Sequence, residues 1–186
     1  MATLDVQVVD AAGSPMQAVV AGANTTNLAN MNWLRVTGTD PAGRLRLHVP
    51  PGDHVLYATT GSQHALAFVD RTQRDAQVLR LAPLPTMRVT VRDRDGKPVA
   101  GARAQVAGFL YPEPRGDAEQ VALGRAAISL HAGYVANARS DKGGLLLVPA
   151  FMCPGMESGI VVRLGTRASK SFSLVPDGEA ELVLDP

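Results

Sequence analysis

Four histidines, His48, His54, His64 and His131, have the best claim to chemistry in this 186-residue chain. An imidazole can ligate a metal or move a proton near neutral pH. His48 and His54 flank one turn and would face each other across a hairpin, the beginning of a metal site. No cysteine or carboxylate cluster accompanies them at ligand spacing. Their alternation with Leu47, Val49 and Val55 reads instead as solvent-facing strand positions. Ser129 stands two residues before His131, on paper a nucleophile and its base. No orienting carboxylate or oxyanion hole accompanies the pair, which reads as part of a strand. Asp93-Arg94-Asp95-Gly96 opens like a calcium loop, but no bidentate glutamate follows at the twelfth position, and a turn explains it. Arg115-Gly116-Asp117 spells an integrin-type tripeptide, and Asn24-Thr25-Thr26 a glycosylation sequon; both are short enough to arise by chance. The chemistry-bearing residues therefore assign no catalytic group, no metal and no cofactor.

The elements that would position these residues are clearer. In residues 87–103, Met87, Val89 and Val91 alternate with Arg88, Thr90 and Arg92, the period of a strand with one buried face. Asp93 to Gly96 then supplies turn chemistry, and Pro98 suits entry to the next strand. The same pattern occurs earlier. Leu4, Val6, Val8, Asp10, Gly13 and Pro15 stand 83 positions before Met87, Val89, Val91, Asp93, Gly96 and Pro98. Further on, Thr39-Asp40-Pro41-Ala42-Gly43 matches Ser140-Asp141-Lys142-Gly143-Gly144, but the offset has grown to 101. The added residues fall within 108–137, which reads as an expanded loop. Residues 118–132 are the one place for a short helix, but no sustained 3.6-residue period with caps supports it. Residues 145–148, an unbroken apolar run, read as a strand covered on both faces.

These observations predict an all-β chain of two tandem antiparallel β-sandwiches, the first of seven short strands and the second on the same plan. The first module is 1–82, a proline-rich linker is 83–86, and the second module is 87–186. Lys plus Arg number 18 against 17 for Asp plus Glu, and neither half holds the basic excess that a phosphate backbone requires. Nucleic acid is excluded on that balance. No stretch approaches the ~20 apolar residues of a membrane span. One cysteine, Cys153, excludes an internal disulfide framework. The first residues lack the charged and apolar regions of a signal peptide. The expected location is thus cytoplasmic or particle-associated for the chain as written, and extracellular for an excised segment.

The order V-x-V-x-D-x-x-G-x-P-V-x-G-A, then T/S-D-x-x-G-x-L-x-L, then P-P-G, resembles the carboxypeptidase regulatory-like domain. That resemblance implies two tandem seven-stranded antiparallel Greek-key β-sandwiches, prealbumin-like (transthyretin-like) or Ig-like, and a non-catalytic scaffolding or binding role. The related intradiol dioxygenases place two tyrosines and two histidines on iron. The second module offers Tyr111, Tyr134 and only His131. The hydroxyisourate hydrolases end in Tyr-Arg-Gly-Ser, whereas this chain ends Leu184-Asp185-Pro186. Adhesin modules crosslinked by a Lys–Asn bond need a lysine in each module. The first module has none, and Lys97 and Lys142 sit in turns.

The expected function is a non-catalytic tandem module that binds a protein partner, with a carbohydrate as another ligand class. Two alternatives stand beside it: a structural subunit of a larger particle such as a phage tail or contractile injection machine, and an enzyme with an unrecognised site. The candidate interaction surface is Phe109, Leu110, Tyr111, Arg115 and Tyr134. It lies in the one large departure from the shared plan, where aromatics sit beside stiffening prolines.

Overall fold

The computed structural model describes residues 2–25, 33–70, 72, 76–110, 116–150 and 157–184. The chain is mostly strand, in several sheets, and divides into two compact units. Met1–Leu84 and Arg115–Ala126 form the first; Pro85–Pro114 and Ala127–Pro186 form the second.

The strands of the first unit are β1 (Ala2–Val9), β2 (Val19–Asn24), β3 (Trp33–Gly38), β4 (Arg44–Val49), β5 (His54–Thr59), β6 (Gln63–Val69), β7 (Gln77–Arg80) and β8 (Ala82–Pro83). They make a three-stranded sheet ordered β4-β1-β7 and a five-stranded sheet ordered β3-β2-β5-β6-β8. Leu4, Val6, Val8, Leu47 and Val49 of the smaller sheet pack with Val20, Leu56, Ala58, Ala65 and Val69 of the larger. Alternate residues thus line one core between two sheets. Pro83, read from sequence as the start of the linker, pairs with β6 together with Ala82 before it.

The second unit holds β9 (Thr86–Arg92), β10 (Arg103–Leu110), β11 (Leu145–Pro149), β12 (Glu157–Leu164), β13 (Arg167–Ala168), β14 (Phe172–Ser173) and β15 (Glu179–Val183). One sheet is ordered β11-β9-β15; the other is β10-β12-β13, with β14 also on β12. Met87, Val89, Val91, Leu146 and Val148 face Ala104, Ile160 and Val162 across the core.

Four expectations need correction. The sheets are not purely antiparallel: β1 runs parallel to β7, and β9 runs parallel to β15. A two-residue period reports which face is buried and carries no information on strand direction, so this was invisible in the pattern. Residues 145–148 are not covered on both faces. Leu146 and Val148 are buried, but Leu147 is 46% exposed. His54 is not solvent-facing. It is 1% exposed, with Nδ1 2.9 Å from the Gly52 carbonyl oxygen.

The fourth correction is the largest. The described residues within 108–137 are not a loop: β10 continues to Leu110, and a helix, α1, runs from Ala118 to Asn137. Asp117 caps it, its carboxylate accepting the Gln120 N–H at 2.9 Å. Glu119 in the first turn complements the positive helix end. Alanines, the best helix formers, recur throughout. The helix hides its period because it is buried on more than one side. Ala122 and Ala126 pack with Val55 in the first unit, while Val135 joins the core of the second.

Turn chemistry is as the residue types suggest. Asp40 Oδ1 accepts the Arg44 N–H at 2.7 Å, and Asp141 Oδ1 accepts those of Gly143 and Leu145 at 2.8 and 2.9 Å. Gly43 and Gly144 end these turns at φ of 72° and 78°. A Cβ on either would overlap a main-chain oxygen, of Val8 or of Val91. Only glycine meets both demands.

Candidate interaction surface

The outer face of β1 and β4 in the first unit is a ladder of satisfied cross-strand pairs. Thr3 stands opposite His48, Asp5 opposite Arg46, and Gln7 opposite Arg44. Their side chains meet at 3.3, 2.7 and 3.3 Å. The Arg46 hydrogen bond holds the Asp5 carboxyl below the usual carboxylate range.

The outer face of β10 and β12 in the second unit is different. Arg103 stands directly opposite Arg163, and Arg139 forms an isolated antiparallel bridge with Arg103 on the other side. Three exposed arginines therefore occupy one row across the sheet. Arg139 Nη1 reaches the Ala136 and Ala138 carbonyls at 3.3 Å. Among the described residues, no carboxylate pairs with Arg103 or Arg163. Like charges directly opposite in a sheet destabilise it by roughly 0.2–1 kcal/mol.

The same strand has an open edge. In the first unit β2 is paired on both sides, by β3 and β5. In the second, among the described residues, β10 pairs with another named strand, β12, on one side only. On its other side, residues 138–140 bond to its entry. The Ala104 N–H donates to Ala138 O at 3.3 Å, and the Ser140 N–H to Ala102 O at 2.9 Å. From Val106 to Leu110, no strand among the described residues takes that edge. The register slips between Val106 and Gly108, which marks a bulge.

Beneath this edge, on the inner face, His131 of α1 places Nε2 2.8 Å from Ser158 Oγ of β12. Ser129 and His131 are thus helical rather than strand residues, and the serine bonded to His131 is Ser158. Burial without a compensating charge pushes the imidazole pKa down. His131 is 1% and Ser158 2% exposed, and Nδ1 has no protein partner among the described residues. A nucleophile needs an exposed oxygen and an oriented base, so this pair serves as core polarity rather than as a dyad. No group of three metal-ligating side chains occurs among the described residues.

The residues singled out from sequence are partly gathered here. Phe109 and Leu110 are the last two residues of β10, opposite Ser158 and Glu157 in register. Tyr134 is half-buried on the last turns of α1. Tyr111 and Arg115 lie outside the described residues. Asp117 of the tripeptide is the helix cap. Arg103, Arg139 and Arg163 were missed. Strand periodicity places Arg103 and Arg163 outward, but only the pairing register brings them together.

No family model matches this chain, and no curated protein does. Solved structures similar to it include pilins. The shaft pilin SpaA from Lactobacillus rhamnosus GG is 13% identical, with 100% of this chain and 98% of that chain covered and a TM-score of 0.41. A streptococcal ancillary pilin is 13% identical, covering 99% and 62%, with a TM-score of 0.34. The full-length RrgB pilus protein from Streptococcus pneumoniae is 12% identical, covering 98% and 46%, with a TM-score of 0.29.

Proposed function

We propose that this chain is a non-catalytic pair of β-sandwich modules that holds a protein partner through the second module. The observation that carries this reading is the row Arg139–Arg103–Arg163 beside the open edge of β10. A sheet that keeps opposed cations without acids forgoes stability, and an anionic partner supplies the missing countercharge. Phe109, Leu110, Tyr111, Arg115 and Tyr134 belong to the same proposed surface, as flanking contacts.

The reading includes a tandem origin from one seven-stranded Greek-key module of the carboxypeptidase regulatory-like type. Supporting it, both small sheets hold their first strand in the middle, antiparallel on one side and parallel on the other. Thr39 and Ser140 also play one part. Each buried hydroxyl accepts a main-chain N–H at 2.9 Å, from Ala18 and from Ala102. Module boundaries near 82 and 87 remain part of this proposal, with residues 115–126 grouping with the first unit.

A photo-crosslinking residue at Gln105, compared with one at Thr3, tests the surface. Both positions are exposed on outer sheet faces. Adducts to a partner protein from Gln105 and not from Thr3 are expected. Equal labelling at both sites, or none at Gln105, overturns the proposal.

A further inference from the structure

We infer that the anionic group held by Arg103 and Arg163 is a phosphoryl monoester, carried on a segment of the partner protein that lies over the outer face of β10 and β12. This rests on the partner-binding reading above and names the chemistry that the partner presents.

Two independent observations meet on this face. The first is its charge. On other outer sheet faces Arg46, Arg88 and Arg92 each meet a carboxylate, at 2.7, 3.6 and 2.8 Å. Arg103 and Arg163 stand opposite each other instead, both exposed, with no acid on either among the described residues. Directly opposed residues of an antiparallel pair have Cβ atoms about 4.5–5.5 Å apart. Two guanidinium groups on such a pair can grip one group placed above them. Arg139 adds a third positive charge beside Arg103, steadied by the Ala136 and Ala138 carbonyls.

The second is a floor without side chains. Ser158, Ile160 and Val162 are buried, so Arg163, Val161, Gly159 and Glu157 face outward along β12. Opposite them on β10 stand Arg103, Gln105, Gly108 and Leu110. Two glycines are therefore paired within the face. At Gly159 a Cβ would press on Ser171 Oγ at 3.2 Å. At Gly108 the fold makes no such demand: φ is not positive, and a Cβ would meet nothing within 4 Å. Glycine weakens a strand interior, and one that its own fold does not require marks close approach by another backbone. Gly159 and Arg163 are four residues apart, about 13 Å along the strand. An extended partner segment of about four residues spans that distance, from the glycines to the arginines.

Charge and shape select the group. A carboxylate brings one negative charge and two oxygens, enough for one guanidinium fork. A phosphoryl monoester brings a charge of about −1.5 to −2 and three acceptor oxygens, so both arginines bond it together. Arginine clusters recognise phosphorylated segments on this basis. Glu157, exposed beyond Gly159, sets the anionic end of the segment at the arginines.

Retention of degenerate pentapeptide pools on the immobilised full chain tests this at 150 mM NaCl. The pools carry phosphoserine, glutamate or serine at the centre. The phosphoserine pool should be retained at least about tenfold over the glutamate pool. Arg103→Gln/Arg163→Gln should abolish that excess. Gly108→Val places a strand-favouring residue in open space; it should cut the excess at least about threefold while the circular dichroism spectrum and melting temperature are kept. Equal retention of the phosphoserine and glutamate pools overturns the inference, and adducts at Gln105 would then leave the partner reading standing. Retention of no pool overturns it too, as does an excess that survives the arginine variant. Inorganic phosphate that competes as strongly as the peptides, with Gly108→Val without effect, would assign the site to a free anion and overturn the segment. Should the arginine variant not fold, the pools on the unmodified chain and on Gly108→Val still decide.

Discussion

Arg103 and Arg163 stand directly opposite one another on β10 and β12, with no acid among the described residues to separate them. The matching outer face of the first unit sets Asp5 against Arg46 at 2.7 Å. Replacing Arg163 with threonine, a good strand residue, removes the repulsion. Thermal stability of Arg163→Thr should rise by about 0.2–1 kcal/mol, most clearly at low salt. A gain in melting temperature together with weaker partner capture is the signature of a charge kept for binding. A loss in both would mean that Arg163 supports the fold.

Gly144 tests the turn that closes β9 against β11. Its φ is 78°, and a Cβ there meets the Val91 carbonyl oxygen. Gly61 has φ of 95° with nothing within 4 Å of its Cβ position. Gly61→Ala should cost about 1 kcal/mol, from the backbone alone. Gly144→Ala should cost more, on the order of 1–3 kcal/mol for strain plus the overlap. Urea denaturation of both variants reads the difference. Equal losses would show that the turn yields to the overlap.

Acid should destabilise the chain through its buried imidazoles. Burial lowers the pKa of His54 and of His131 from the ordinary value of 6.5. Below about pH 6.5 the unfolded chain binds protons that the folded chain refuses, so stability falls with pH from there to the folded pKa. Above that window the effect is absent. His131 can contribute up to ~1.4 kcal/mol per pH unit within it. Urea midpoints at pH 8 and pH 5 measure the total. His131→Gln keeps a hydrogen-bonding group for Ser158 and removes one titration, so its stability should depend less on pH.

The strands were legible because burial on one face leaves a two-residue period, as in Leu4, Val6 and Val8. The turns were legible because Asp40, Gly43, Asp141 and Gly144 do chemistry that few other residues can do. Three features were not. Parallel pairing of β1 with β7 depends on how the chain crosses between sheets, which no residue type records. The arginine row depends on register between Arg103 and Arg163, far apart in sequence. α1 escaped because its apolar residues are spread around the cylinder, and a helix buried on several sides loses the stripe by which helices are read.

One signal for α1 was present at its start. Asp117 and Gln120 have the spacing of a capping box, hidden inside a tripeptide that invites a different reading. The Asp117 carboxylate is engaged by the Gln120 N–H, and its carbonyl accepts the Val121 N–H at 3.1 Å. Asp117→Ala should therefore lower stability by about 0.5–2 kcal/mol, while Asp117→Asn, also a good cap, should lose much less. Circular dichroism at 222 nm during urea denaturation follows the helix directly. An unchanged midpoint in Asp117→Ala would mean that packing of Ala122, Ala126 and Val135 holds the helix without its cap.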